Sequence, residues 1–97
     1  MSKRIYWNFH KALLLNKIKF ECRIKCLCLW DTNYLCAGCK DAKIRIIELG
    51  NNQVIQEITE YSKDIICIKK IKHPKNGECI LTQGLDEGQI KLFGINM

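Results

Sequence analysis

Apolar and polar residues alternate along this chain in short runs, four of which follow one another between Ile24 and Thr59. They are Ile24 to Trp30, Tyr34 to Cys39, Ile44 to Leu49 and Val54 to Thr59. Runs this short, bounded by turn residues, predict β-strands rather than helices. The first is apolar on both pleat faces, with Cys26 and Cys28 on one and Leu27 and Leu29 on the other. Such a strand is expected to be covered on both sides. The fourth mixes Gln56, Glu57 and Thr59 with Val54, Ile55 and Ile58, the pattern of an exposed sheet edge. Asp31-Thr-Asn33, Gly38-Cys-Lys-Asp41 and Gly50-Asn-Asn52 supply the turns.

The order then recurs. Asp64 to Ile71 repeats the first run, Cys79 to Thr82 answers Leu35 to Ala37, and Asp86 to Phe93 answers Asp41 to Ile47. Asp41 and Asp86 lie 45 residues apart, Ile44 and Ile90 lie 46 apart, and Ile24 and Ile65 lie 41 apart. His73-Pro-Lys-Asn-Gly77 is a loop, because Pro74 cannot donate to a strand ladder. Four strands repeating with a period in the low-to-mid forties are the mark of propeller blades. Before Ile24 two readings stand. Ile5 to Asn8 and Lys17 to Glu21 fit strands, whereas Phe9, Leu13 and Phe20 behind Asn8 as an N-cap fit a short basic helix.

The chain resembles the WD-repeat β-propeller family. The residues that carry the resemblance are Leu35-Cys-Ala-Gly-Cys-Lys-Asp41 followed by Ile44-Arg-Ile-Ile-Glu-Leu49, with Leu81-Thr-Gln-Gly-Leu-Asp86 and Ile90-Lys-Leu-Phe93 as counterparts. The resemblance implies an all-β chain of consecutive four-stranded antiparallel blades forming an incomplete propeller. Residues 1–21 would be the second half of one blade, with Trp7-Asn8 ending its third strand. Residues 24–59 would be a complete blade and 64–97 three strands of the next. It also implies Asp41 and Asp86 as structural turn residues, with Thr82 as a hydroxyl partner. In the family, a turn aspartate, a histidine from a Gly-His pair, a Ser or Thr and a tryptophan often form a hydrogen-bonded network. Here Glu60-Tyr61 stands where the Gly-His pair would be, and Ile47 and Phe93 hold the tryptophan positions.

Composition narrows this picture without changing it. Ninety-seven residues, 47% hydrophobic and 27% charged, make one globular domain rather than two or a disordered chain. No apolar run approaches a membrane span, and the first ten residues lack a secretory signal's apolar stretch, so a cytoplasmic or nuclear address is expected. The net charge of +6 is carried by residues 1–25, where seven bases meet Glu21 alone. A nucleic acid or an anionic membrane surface is the alternative partner for that stretch, although it has no Arg-rich cluster or Gly-aromatic motif, and a solvated basic face is preferred.

Candidate chemistry is sparse. The seven cysteines, an odd number, read as reduced thiols packed as small hydrophobes. Cys36-x-x-Cys39 invites a zinc site, but no second pair follows at ligand spacing, since 11 residues separate Cys67 from Cys79. A redox pair would sit at a helix start, and this one lies in a predicted strand. His10 and His73 stand in no metal-ligand or nucleophile–base spacing. No catalytic residue, metal or cofactor is expected. The resemblance implies a non-enzymatic scaffold that binds protein partners through its loops, around Asp31–Asn33, Gly50–Asn52 and His73–Gly77. Two and a quarter blades leave apolar faces uncovered, so the chain is expected to be part of a longer propeller or to be completed by self-association or by another chain.

Overall fold

Short polar turns set the lengths of the strands. Asp31 Oδ1 accepts the amide protons of Asn33 at 2.8 Å and Tyr34 at 3.1 Å, and Asn51 Oδ1 accepts that of Gln53 at 3.1 Å. His73 Nδ1 does the same for Lys75 and Asn76, at 3.1 and 3.2 Å. Side chains that satisfy nearby backbone in this way make tight reversals favourable. Ala42, Asn52 and Asp86, with φ of 70°, 59° and 59°, supply left-handed residues at three of the reversals.

Between the turns, the computed structural model describes residues 12–86 and 88–96 and is all-β. The first sheet is a meander of β1 (Ile24–Leu29), β2 (Tyr34–Cys39), β3 (Ile44–Glu48) and β4 (Gln53–Ile58) in the order β1-β2-β3-β4. The second holds β5 (Ile65–His73), β6 (Gly77–Gly84) and β7 (Ile90–Gly94) in the order β5-β6-β7. Every pairing is antiparallel.

The two sheets repeat one another in register as well as in order. Leu27 opposes Ala37 as Ile68 opposes Thr82, and Cys28 opposes Cys36 as Lys69 opposes Leu81. Cys36 opposes Ile46 as Leu81 opposes Leu92, and Gly38 opposes Ile44 as Gln83 opposes Ile90. Both first strands also carry a bulge at the same place, between Ile24 and Cys26 and between Ile65 and Cys67. A shared bulge is a shared local twist, so the repeat extends to the shape of each sheet.

One core joins the sheets. Cys36, Ile44 and Ile46 of the first sheet pack with Tyr61, Ile65, Ile68 and Ile80 of the second, and Cys26, Cys28, Trp30, Ile58 and Phe93 close around them. Because side chains alternate across a strand, these residues define the rear of the first sheet and the front of the second. Gly38 is needed for the approach: a Cβ there would lie 2.6 Å from Ile65 Cγ2 and 2.5 Å from Cys26 Sγ. Lys70 crosses the joint, donating to the Trp30 carbonyl with its ammonium 4.6 Å from the Trp30 ring centre.

Three expectations are corrected here. Leu27 and Leu29 are 58% and 57% exposed, not covered, because no described residue lies over that part of the first sheet's front. Lys17 to Glu21, expected as a strand, pairs with no strand among the described residues. A fourth strand needs a third to pair with, and Ile5–Asn8, the proposed third, lies outside the described residues, as does most of the proposed helix. Finally, β5 runs on to His73, two residues beyond the expected Ile71, because Lys72 and His73 pair with Glu78 and Gly77 before Pro74 stops the ladder.

Candidate interaction surface

Among the described residues, the front of the first sheet is covered only over its outer half. There Ala37, Cys39 and Ile47 are buried, and Ile18, Phe20 and Cys22 of the preceding segment pack on them. That segment alternates, Lys17, Lys19 and Glu21 being exposed. It is anchored at both ends, by amide hydrogen bonds between Asn16 and Asn52 at 2.9 and 3.1 Å and by Lys40 N donating to Arg23 O at 2.9 Å. Leu27 and Leu29, on the inner half of the same face, have no such cover among the described residues.

Where the segment ends, an open cleft of about 460 Å³ is lined by Lys19, Phe20, Glu21, Cys22, Asp41 and Arg45. Asp41 sits in the β2–β3 turn. It accepts the Lys43 amide at 3.3 Å and two guanidinium bonds from Arg45, at 3.1 and 2.6 Å. Arg45 also donates to Glu57 of β4 at 3.0 Å, and Lys43 lies 3.8 Å from the same carboxylate. The guanidinium holds the Asp41 carboxyl below the ordinary carboxylate value, and the carboxylate raises Arg45 in turn. With its charge shared between two carboxylates, Arg45 ties three segments of the first sheet together and leaves little positive field for an outside anion. Sequence reading singled out Asp41 but missed Arg45 and Glu57, which face one another only through the β3–β4 register.

Asp86 is placed differently. It is the left-handed residue of its turn, with an exposed ion pair to Lys63 at 3.6 Å. The polar centre of the second sheet lies instead at Tyr61, whose hydroxyl is 2.7 Å from Thr82 Oγ1, while Thr82 donates to the Lys91 carbonyl at 2.9 Å. The Lys91 ammonium lies 4.4 Å from the Tyr61 ring centre and donates to the Glu60 carbonyl. Tyr61 thus holds the hydroxyl of Thr82. Gly84 makes room for it, since a Cβ there would lie 2.6 Å from the ring. The signal in the sequence is the aromatic Tyr61 just ahead of the second sheet.

The remaining candidates resolve by which face they occupy. Cys36 lies in the joint and Cys39 on the opposite face, so the two do not share a site. Among the described residues, no group of three or more His, Cys, Asp or Glu side chains is placed to hold a metal ion. All seven thiols are free, and burial pushes the Cys26 and Cys36 thiols up to about 11 and about 12. Of the basic residues in 1–25, Lys3, Arg4 and Lys11 lie outside the described residues, and Lys25 pairs with Asp64 at 3.8 Å. Among the described residues no helix is long and apolar enough to cross a membrane.

At the far end, the rear of the second sheet presents Ile90 at 69% and Leu92 at 36% exposure beside a shallow cavity of about 60 Å³ lined by Cys67, Lys69, Leu81, Thr82, Gln83 and Ile90. Ile44 and Ile46, the equivalent residues of the first sheet, are 0% exposed. An all-β chain of repeated antiparallel meanders, packed face to face with a bulge at the same step, is an incomplete β-propeller of the WD40 class. The family model described as the anaphase-promoting complex subunit 4 WD40 domain matches residues 2–73, and the chain belongs to that WD40-repeat family. No curated protein matches, and no solved structure matches. Domains of the WD40 class generally serve as protein-interaction scaffolds without catalytic activity.

Proposed function

We propose that this chain is a non-enzymatic protein-interaction module that works as part of a larger propeller or is completed by association with another chain. One observation carries the reading. Positions that are fully buried in the joint between the two sheets, Ile44 and Ile46, recur as the exposed Ile90 and Leu92, and the buried Ile68 recurs as the exposed Leu27. Exposed apolar residues built on a pattern that is buried elsewhere in the same molecule mark surfaces meant for protein. The family is named for a subunit of a multi-protein complex, which agrees with a role inside an assembly. A cytoplasmic or nuclear address belongs to the same proposal.

The test combines mass and surface. The purified chain should either bind a dye that fluoresces on exposed apolar surface, with Ile90→Asp and Leu27→Asp each lowering the signal, or sediment as more than a monomer with those faces covered. A monomer that binds no dye would overturn the reading.

A further inference from the structure

The segment that covers the outer front of the first sheet is held by contacts of unequal kind. At its start Asn16 and Asn52 exchange two exposed amide hydrogen bonds. Along its length Ile18, Phe20 and Cys22 rest on Ala37, Cys39 and Ile47. At its end the chain bends at Glu21 and Cys22, and Lys40 N donates to Arg23 O at 2.9 Å just before β1 begins at Ile24, opposite Cys39. Exposed amide bonds exchange readily for water, and a few apolar contacts make a small seal. The segment therefore belongs to the part of the molecule that opens locally.

One cysteine sits on each side of this contact. Cys22 belongs to the segment and lies half-buried at the wall of the open cleft, beside Lys19 and Arg45. Cys39 ends β2 and is 0% exposed, in the cluster on which the segment rests. The bond from Lys40 to Arg23 joins the two residues that directly follow these cysteines. Such a bond sets neighbouring backbones about 5 Å apart, and a disulfide spans roughly 4.4–6.8 Å between α carbons. The second sheet makes the same bond, from Leu85 N to Asp64 O at 2.7 Å, with Lys63 and Gly84 in place of the two thiols. The shape of the sheet thus does not call for a cysteine at either position. Burial pushes the Cys39 thiol up, and the Arg45 guanidinium beside it pulls the other way. A cation beside a thiol steadies the thiolate on which disulfide exchange depends. Cys26, Cys28 and Cys36 lie in the joint on the opposite face.

We propose that Cys22 and Cys39 form a reversible redox latch that fastens residues 16–23 to the front of the first sheet. The oxidant is a low-molecular-weight disulfide such as glutathione disulfide. The Cys22 thiolate attacks one of its sulfurs, the S–S bond breaks, and one glutathione leaves. The Cys39 thiolate then attacks the Cys22 sulfur and expels the second glutathione. The protons given up by the two cysteines end on the two glutathione thiols, and the two electrons lost by the cysteines reduce the glutathione disulfide. Closed, the latch keeps Ile18 and Phe20 over Ala37, Cys39 and Ile47; open, it lets the segment lift and bare that apolar patch. The latch acts whatever the chain binds, so it does not depend on the interaction-module reading.

The experiment exposes the purified full chain to glutathione disulfide, with dithiothreitol as the reference, and then blocks the remaining thiols. Mass spectrometry of a complete tryptic digest should find residues 20–23 joined to residues 26–40. The link should be lost in Cys22→Ser and in Cys39→Ala and kept in Cys28→Ser. Brief trypsin treatment of the native chain reads the second half of the proposal. Lys17 and Lys19 are exposed, but a protease needs the segment lifted to cut after them. Cutting there should be at least about tenfold slower in the oxidised chain, since proteolysis follows the population of the open form. Cutting after the exposed Lys75, in the β5–β6 turn, should be the same in both states. Dithiothreitol should restore the faster rate, and Cys22→Ser, a half-buried site, should show that rate under either reagent. A Cys22 that stays joined to glutathione or pairs with another cysteine would overturn the pair. A mapped bond between Cys22 and Cys39 with unchanged cutting after Lys17 and Lys19 would overturn the latch.

Discussion

Ile44 and Ile46 on β3, and Ile90 and Leu92 on β7, occupy the same positions of two sheets that match in register and bulge. The first pair is 0% exposed, the second 69% and 36%. What separates them is the neighbour: a second sheet lies over β3 and nothing described lies over β7. Burial in this fold is therefore a property of the joint rather than of the strand, and stability is concentrated where two sheets meet. The polar parts differ for a related reason. The first sheet has its fourth strand, and Arg45 binds Glu57 across it; the second has no fourth strand among the described residues, and Lys91, the equivalent of Arg45, turns to Tyr61 and the Glu60 carbonyl.

The sharpest way to break this comparison is to truncate one residue of each pair. Ile44→Ala should cost about 2–5 kcal/mol, the usual loss for a buried isoleucine with its cavity. Ile90→Ala should cost less than about 0.5 kcal/mol at concentrations where the chain is monomeric, as exposed sites do. Denaturant midpoints would decide, and equal costs would mean that the two positions share an environment.

Next in size is the close approach at Gly38. Gly38→Ala should destabilise by about 1–3 kcal/mol, because the new methyl drives into Ile65 and Cys26 and the sheets must part. Gly50, with nothing within 4 Å of a Cβ, is the control, and Gly50→Ala should leave thermal stability nearly unchanged. Tyr61→Phe removes the hydroxyl shared with Thr82 while keeping the ring against Gly84, so a loss of about 0.5–1.5 kcal/mol is expected by calorimetry.

The thiols of the joint give the comparison a pH dependence. Burial raises Cys26 and Cys36 from 9.0 to about 11 and about 12. Below pH 9.0 both are neutral whether the chain is folded or not, and they cost nothing. As pH rises from 9.0 toward 11 and 12, the unfolded chain releases these protons before the folded one does, so folding stability falls over that window. Midpoints that hold steady or rise there would contradict a dry joint. Smallest of all is Leu29→Asp, which on the sequence pattern alone should be severe; at 57% exposure it should cost monomer stability less than about 0.5 kcal/mol, measured by urea titration.

Much of the architecture was legible before any coordinates. Asp31, Asn51 and Pro74 announce their turns because their chemistry acts on the nearest backbone, and a local cause leaves a local trace. The period was legible through Asp41 and Asp86, Ile44 and Ile90. The Arg45–Glu57 pair and the placing of Ile18, Phe20 and Cys22 over Ala37, Cys39 and Ile47 were not, because each joins residues whose proximity depends on register or on packing between distant segments.

The sequence by itself determined the strands, their order, the turns and the two-faced character of β1. Those follow from alternation and from side chains that bond the neighbouring backbone. Tertiary structure alone decided which of two equally apolar faces is dry: Cys26 and Cys28 turn into the joint, while Leu27 and Leu29 turn to solvent. Alternation sorts residues onto faces, but burial needs a second surface within contact distance, and that surface is supplied by a sheet some forty residues away.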